Sequence, residues 1–174
     1  MSFQLSLSTE SVTTAYLESP LVVASDAAVG EVLQLLRTER TACVLVCDAN
    51  TQDQGNSAGS VKKAESGKSG SIIGIFTERD ALKWMATGQL LDLAVSEAMS
   101  QTPVTLTGDA TVGQAIQKMA EGGYRHLPIL ATDGTPIGMA AVHGIVQYLV
   151  DHFPETIYNL PPTPNSVPSE REGA

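Results

Sequence analysis

Thr77 and Asp80, in the run Gly74-Ile75-Phe76-Thr77-Glu78-Arg79-Asp80, are the residues whose types and spacing best suit a chemical task. The preceding stretch Ser71–Phe76 is apolar and β-branched and reads as a short buried strand. Ala81-Leu82-Lys83-Trp84-Met85 then reads as a helix that stops near Gly88. A hydroxyl and a carboxylate therefore stand together at a strand-to-helix junction. Free backbone N–H groups and the dipole of a helix start favour a phosphate, and a carboxylate can accept hydrogen bonds from two sugar hydroxyls. The pair points to a nucleotide. The same Thr-x-x-Asp spacing also spells a capping box, in which both side chains satisfy helix donors and bind nothing.

Other reactive residues offer less. Cys43 and Cys47 lie four apart on one predicted strand, about 13 Å apart along extended chain, too far for a disulfide. They read as buried structural thiols of a reducing compartment. His126, His143 and His152 are not paired with one another or with the cysteines in a metal-ligand pattern. Gly67-Lys68-Ser69 lacks the upstream glycine and strand of a P-loop. Glu78 and Asp80, two residues apart on a helix, do not face each other as catalytic carboxylates would. No nucleophile–base pairing emerges, so no enzyme and no required cofactor are expected.

The elements that position Thr77 and Asp80 occur twice. Asp26-Ala27-Ala28-Val29-Gly30 matches Asp109-Ala110-Thr111-Val112-Gly113. Gly74 to Met85 aligns without a gap on Gly138 to Leu149, and Ala42-Cys43-Val44-Leu45 is set against Leu127-Pro128-Ile129-Leu130. Each copy begins with an extended segment (Pro20-Leu21-Val22-Val23; Pro103-Val104-Thr105-Leu106). A helix follows with apolar residues at helical spacing, Val29, Leu33, Leu36 and Val112, Ile116, Met119. Two strands and a closing helix complete it. The order is β-α-β-β-α twice, an α/β layer architecture, and two small copies are expected to pack face to face about a pseudo-twofold axis.

On these residues the chain resembles the cystathionine-β-synthase (CBS) domain family, as a tandem pair. The resemblance rests on Gly-Ile-Phe-Thr-Glu-Arg-Asp at 74–80, Tyr-Arg-His-Leu-Pro-Ile at 124–129 and Asp-Ala-Thr-Val at 109–112. It divides the chain into an N-terminal segment 1–17, a first motif 18–88 with an insertion at about 49–71, a second motif 89–152, and an extension 153–174. It implies a cleft between the copies for an adenosine compound: AMP, ADP, ATP or S-adenosylmethionine. In the signature that opens with Gly74, it makes Asp80 the ribose anchor and Thr77 the phosphate-side hydroxyl. Val22, Val23, Ala42 and Cys43 would line the base slot. Arg40 and Arg125, placed at equivalent positions before the central strand, and His143 would approach the phosphates. The second copy carries Ala141 and Gly144 where the first has Thr77 and Asp80, so one site per chain is expected.

Composition agrees with a small binding protein. The chain has 174 residues, 43% of them hydrophobic, enough for one compact unit with ends. A net charge of −9 with only ten Lys and Arg excludes general nucleic-acid binding and makes an anionic membrane a poor partner. No apolar stretch reaches the ~20 residues of a membrane span. Met-Ser-Phe-Gln-Leu shows neither the basic region nor the apolar core of a secretory leader, so a cytoplasmic location is expected. Asp48 to Gly74 spans 26 positions against 5 for Asp133 to Gly138, which marks the insertion as a polar hairpin tip. The tail from Pro161 is expected to be extended or disordered, and Asp151–Leu160 to pack on the body or on a second subunit. Homodimerisation is implied by the resemblance, with Leu33, Leu36, Val146 and Leu149 as candidate contacts. Two functions are then in view. One is a non-catalytic regulatory module that senses an adenine nucleotide and signals to a client protein; the other is a ligand-independent homodimeric interaction module.

Overall fold

The computed structural model describes residues 7–48, 62–63 and 71–159; most of the expected insertion and the Pro161 tail lie outside them. The first half runs β1 (Leu21–Ala24), α1 (Val29–Glu39), β2 (Cys43–Cys47), the short β3 (Lys62–Lys63), β4 (Ile72–Thr77) and α2 (Glu78–Ala86). After β5 (Ser100–Gln101), the second half runs β6 (Leu106–Thr107), α3 (Val112–Gly122), β7 (His126–Leu130), β8 (Pro136–Ala141) and α4 (Val142–His152); α5 (Pro154–Tyr158) follows. Apart from the short β3, the β-α-β-β-α order is thus present twice. One sheet has the order β3-β1-β2-β4-β5 and the other β6-β7-β8. In each, the strand before the first helix runs parallel to the central strand, and the next strand returns antiparallel.

Strand alternation sorts the side chains into three apolar clusters. Val44, Val46 and Phe76 point from the first sheet into a core with Val29, Val32 and Leu36 of α1. Cys43, Leu45, Cys47, Val22 and Ile75 point the other way and meet Met139 of the second half. All five residues of β2 are consequently buried, as expected of a strand covered on both faces. The second half has its own core of Leu127, Ile129, Ala140, Ile145 and Tyr148.

Each half borrows the segment that precedes the other. Val12, in the 3-10 turn Val12–Thr14, is fully buried in the second core, and Val95, in the equivalent turn Val95–Glu97, is fully buried in the first. The backbone bonds correspond: Val12 N–H donates to Ala110 O and Val95 N–H to Ala27 O, both at 2.8 Å. Val112 N–H likewise donates to Glu10 O and Val29 N–H to Leu93 O. Residues 11–17, expected to stand outside the repeat, therefore belong to the second half, and residues 91–98 complete the first. Bounds at 17 and 88 place residues 11–17 outside both motifs and residues 91–98 in the second, because sequence order does not show which half a lead-in completes.

The strand register also differs from the expected one. Glu78 N–H bonds to Ala42 O, and Val142 N–H to Arg125 O, both at 3.0 Å. Cys43 pairs with Thr77 and His126 with Ala141. Ala42 is thus the counterpart of Arg125, and Cys43 of His126. Arg40 is the left-handed C-cap of α1 (φ 53°), matching Gly123 at the end of α3 (φ 66°). The expected equivalence of Arg40 and Arg125 is corrected: uniformly apolar strands carry no signal against a two-residue slip, which keeps every side chain on its own face.

Candidate functional site

Asp80 sits at the third position of α2 and is only 9% exposed. Its Oδ2 accepts the Thr77 backbone N–H at 3.0 Å and the Thr77 hydroxyl at 2.8 Å. Thr77 Oγ1 in turn accepts the Asp80 N–H at 3.3 Å. The capping box foreseen from the spacing is therefore complete. Ser100 Oγ donates to Asp80 Oδ1 at 3.2 Å. A carboxylate has about four acceptor positions. Three are used, and the exposed Ser100 can rotate away, which leaves room for two hydroxyls.

Thr77 and Asp80 open into a cleft of about 960 Å³ between the two halves, the size of a small-molecule site. Its walls come from the start of α2, residues Ser100–Val104, the Gly122–His126 turn and the exposed side of α4. Of the expected residues, Thr77, Asp80, Ala42, Arg125 and His143 line it. The others lie elsewhere. Val22 and Cys43 are buried against Met139 between the sheets, and Val23 is in the first core. Gly74 packs under Met99, whose sulfur would lie 2.2 Å from a Cβ at that position. Arg40 caps α1. The apolar lining beside Asp80 is instead Ile75, Pro103 and Val104. The exchange of lead-in segments explains this: β5, directly before Pro103, pairs with β4, whereas Glu18, before Pro20, pairs with Met139 of the other half. Pro103-Val104 and Pro20-Leu21 are equivalent by repeat, so the sequence held the signal but not the crossing.

Charge is locally inverted. Arg79, Lys83 and Arg125 line the cleft against Glu78 and Asp80, with His126 and His143 beside them, in a chain of net charge −9. His143 Nε2 lies 3.0 Å from Glu18 Oε1. Burial lowers the pKa of His126, opposed by the carboxylate of Glu18 and assisted by Arg125. Cys43, buried between the sheets, has its thiol pushed up to about 12 by burial, with Glu18 and Glu78 adding to the effect; it is a neutral packing group. α4 also begins at the cleft, and no side chain caps it. Among the described residues no cluster of three His, Cys, Asp or Glu is placed to hold a metal ion, and no helix is long and apolar enough to cross a membrane.

Two β-α-β-β-α units packed sheet to sheet beside such a cleft define a duplicated α/β module. Residues 95–151 match the CBS domain family. A CBS-domain containing protein from Agrobacterium tumefaciens superposes with a TM-score of 0.59 at 26% identity, over 79% of this chain and 94% of that one. A CBS domain protein from Pyrobaculum aerophilum, solved in complex with AMP, superposes at 0.63 with 17% identity, over 81% of this chain and 98% of that one. An uncharacterized 17.7 kDa protein of Acidianus ambivalens is 32% identical over 80 residues, 46% of this chain and 48% of that protein. The chain spans about half the length of the curated relatives it matches, 48% and 42% for two of them. Residues 95–151 thus carry the CBS-domain match, and the chain as a whole has the fold of a CBS-domain pair.

Proposed function

We propose that this chain is a non-catalytic regulatory module that binds one adenosine nucleotide in the cleft and signals occupancy to a partner. The observation that carries the reading is Asp80: a nearly buried carboxylate with free acceptor capacity, opening into a cleft built by both halves. Asp80 holds the ribose hydroxyls, and Ile75, Pro103, Val104 and Ala42 take the base. Thr77, Arg125, His143 and the uncapped start of α4 face the phosphates. The AMP-bound Pyrobaculum aerophilum relative supports the ligand class; AMP, ADP, ATP and S-adenosylmethionine all carry the required diol. Because both halves line the cleft, a ligand can shift their packing by as much as its affinity for the two arrangements differs.

The module acts as a cytoplasmic homodimer in this proposal. Leu82 and Met85 on α2, with Val142 and Val146 on α4, are exposed large apolar residues that a second copy would cover. Of the contacts considered from sequence, Leu36 is buried and Leu33 and Leu149 are partly buried in the cores, so Val146 alone remains available. A second reading, a ligand-independent interaction module, is favoured by one observation: the Thr77–Asp80 box is already satisfied by the protein's own groups. Calorimetric titration with the four ligands, on wild type and Asp80→Ala, separates the two. Binding of one equivalent that vanishes in the variant supports the sensor. No heat and no thermal shift from a folded wild type leave the interaction module.

A further inference from the structure

The second half lacks the carboxylate, and something of the chain's own stands in its place. Gly144, the counterpart of Asp80, is buried; a Cβ there would lie 2.8 Å from Tyr16 O and 3.2 Å from Ala15 O. These carbonyls belong to the borrowed lead-in segment, and the two lead-ins can be compared bond by bond. Ala15 N–H donates to Val12 O at 3.1 Å and Ala98 N–H to Val95 O at 3.0 Å. Further on, Leu17 lies against Gly138 of β8, as Met99 lies against Gly74 of β4. Glu18 then pairs with Met139 as Ser100 pairs with Ile75. Between these matched points Tyr16 has no counterpart: Ala98 is followed directly by Met99. The extra residue takes a left-handed conformation, φ 49°, which a bulky residue adopts only when its surroundings hold it there.

One bond from its own side chain and others on either side of it tie the segment down. The Tyr16 hydroxyl donates to Asp151 at 2.9 Å, Glu18 and Met139 exchange two backbone bonds at 3.0 Å, and the Tyr148 hydroxyl donates to Glu10. In the first half the Asp80 side chain itself stands at that position, with the Ser100 hydroxyl on its Oδ1; a hydroxyl can turn away, and a main-chain carbonyl so fixed cannot. We infer that Tyr16 is an inserted residue whose backbone plugs the second cleft, so that the chain is limited to one adenosine nucleotide by its lead-in segment as well as by the loss of Thr and Asp. This rests on the nucleotide reading of the first cleft for its ligand, but not for its geometry.

Two measurements test it. Gly144→Ala is expected to lower the melting temperature in the wild-type background, although glycine to alanine within a helix ordinarily raises it. Deleting Tyr16 should abolish that loss. A Gly144→Ala protein that melts at or above wild type overturns the plug without any ligand being involved. Titration with AMP and ATP then counts sites in Ala141→Thr/Gly144→Asp with and without Tyr16. The expected result is one equivalent with Tyr16 and a second, weaker one without it. Two equivalents while Tyr16 is present, or still one in a folded deletion variant, overturn the proposal. If wild type binds none of the four adenosine compounds, the ligand reading fails, and the melting comparison still decides whether Tyr16 is a plug.

Discussion

Substitution at Asp80 separates a helix cap from a ribose anchor, provided that two variants are compared. In Asp80→Ala the Thr77 N–H, the Thr77 hydroxyl and the Ser100 hydroxyl lose their acceptor. Losing a cap costs about 1 kcal/mol, and a half-buried donor left unpaired adds on the order of 1 kcal/mol. About 2 kcal/mol in a chain of this length lowers the melting temperature by roughly 4–8 °C. Asp80→Asn keeps one oxygen to accept the Thr77 N–H, so its cost is about 1 kcal/mol or less, from the lost charge at the helix start. Ligand binding does not follow the same order. The amide keeps one acceptor where the diol requires two, and it lacks the charge, so both variants lose a charge-assisted contact of about 1.5–3 kcal/mol. That is roughly a 10- to 150-fold rise in Kd. The assay is a thermal melt with a calorimetric titration on the same preparations. Asn should track wild type in stability and alanine in binding. An Asn variant that binds its nucleotide as wild type does would refute the anchor role and leave Asp80 as a cap.

Other expectations follow from the same structure. Met139→Ala removes the side chain that joins the second half to Val22, Leu45 and Ile75, and should cost about 2–4 kcal/mol in denaturant unfolding. Cys43 and Cys47 are 3% and 0% exposed; a thiol reagent should leave both unmodified in native protein and modify both in denaturant. His126 has a folded-state pKa below its ordinary 6.5 through burial. The unfolded chain takes up the proton first, so the stability it contributes is present above pH 6.5 and is lost as pH falls from there to the folded value. His126→Asn should therefore flatten the melting temperature between pH 6.5 and 5.5 relative to wild type. Tyr148 is pushed up to about 12 by burial and Glu10; its contribution is present below pH 10 and lost as pH rises toward 12. Tyr148→Phe leaves the Glu10 carboxylate without this donor and should cost about 1 kcal/mol near neutrality.

The parts of the fold that sequence made legible are those fixed by local pattern. The period of α1 and α3, the strand-to-helix junction at Thr77 and the duplication all follow from neighbours along the chain. The parts that escaped depend on distance. Val12-Thr13-Thr14-Ala15 and Val95-Ser96-Glu97-Ala98 carry the same outer residues, a signal of the exchanged lead-ins that short length concealed. The register of β2 against β7 escaped because Cys43–Cys47 is apolar on both faces, so a shift of two leaves the pattern unchanged. Val22 and Val23, expected beside the base, lie in the segment equivalent by repeat to Pro103-Val104, and it is the latter that lines the cleft.

The exchange of lead-ins makes the two halves a single unit. Neither core closes without a residue from outside its own β-α-β-β-α run, Val12 for the second and Val95 for the first, and Met139 binds the sheets to each other. Asp80 reflects the same arrangement, for its Oδ1 is held by Ser100 in the segment that leads into the second half. A ligand held by Asp80 would lie against Ser100 of β5, which is paired to β4 and followed closely by Pro103 and Val104 of the cleft wall. In the proposed function, occupancy at one carboxylate would touch both halves directly, because both line the cleft. The plugged side has no such freedom: the carbonyls at Gly144 are main chain and fixed. In the proposed function, one side of the duplicated unit is rigid and the other open to a ligand, which is the asymmetry needed if a single ligand is to change the relation between the halves.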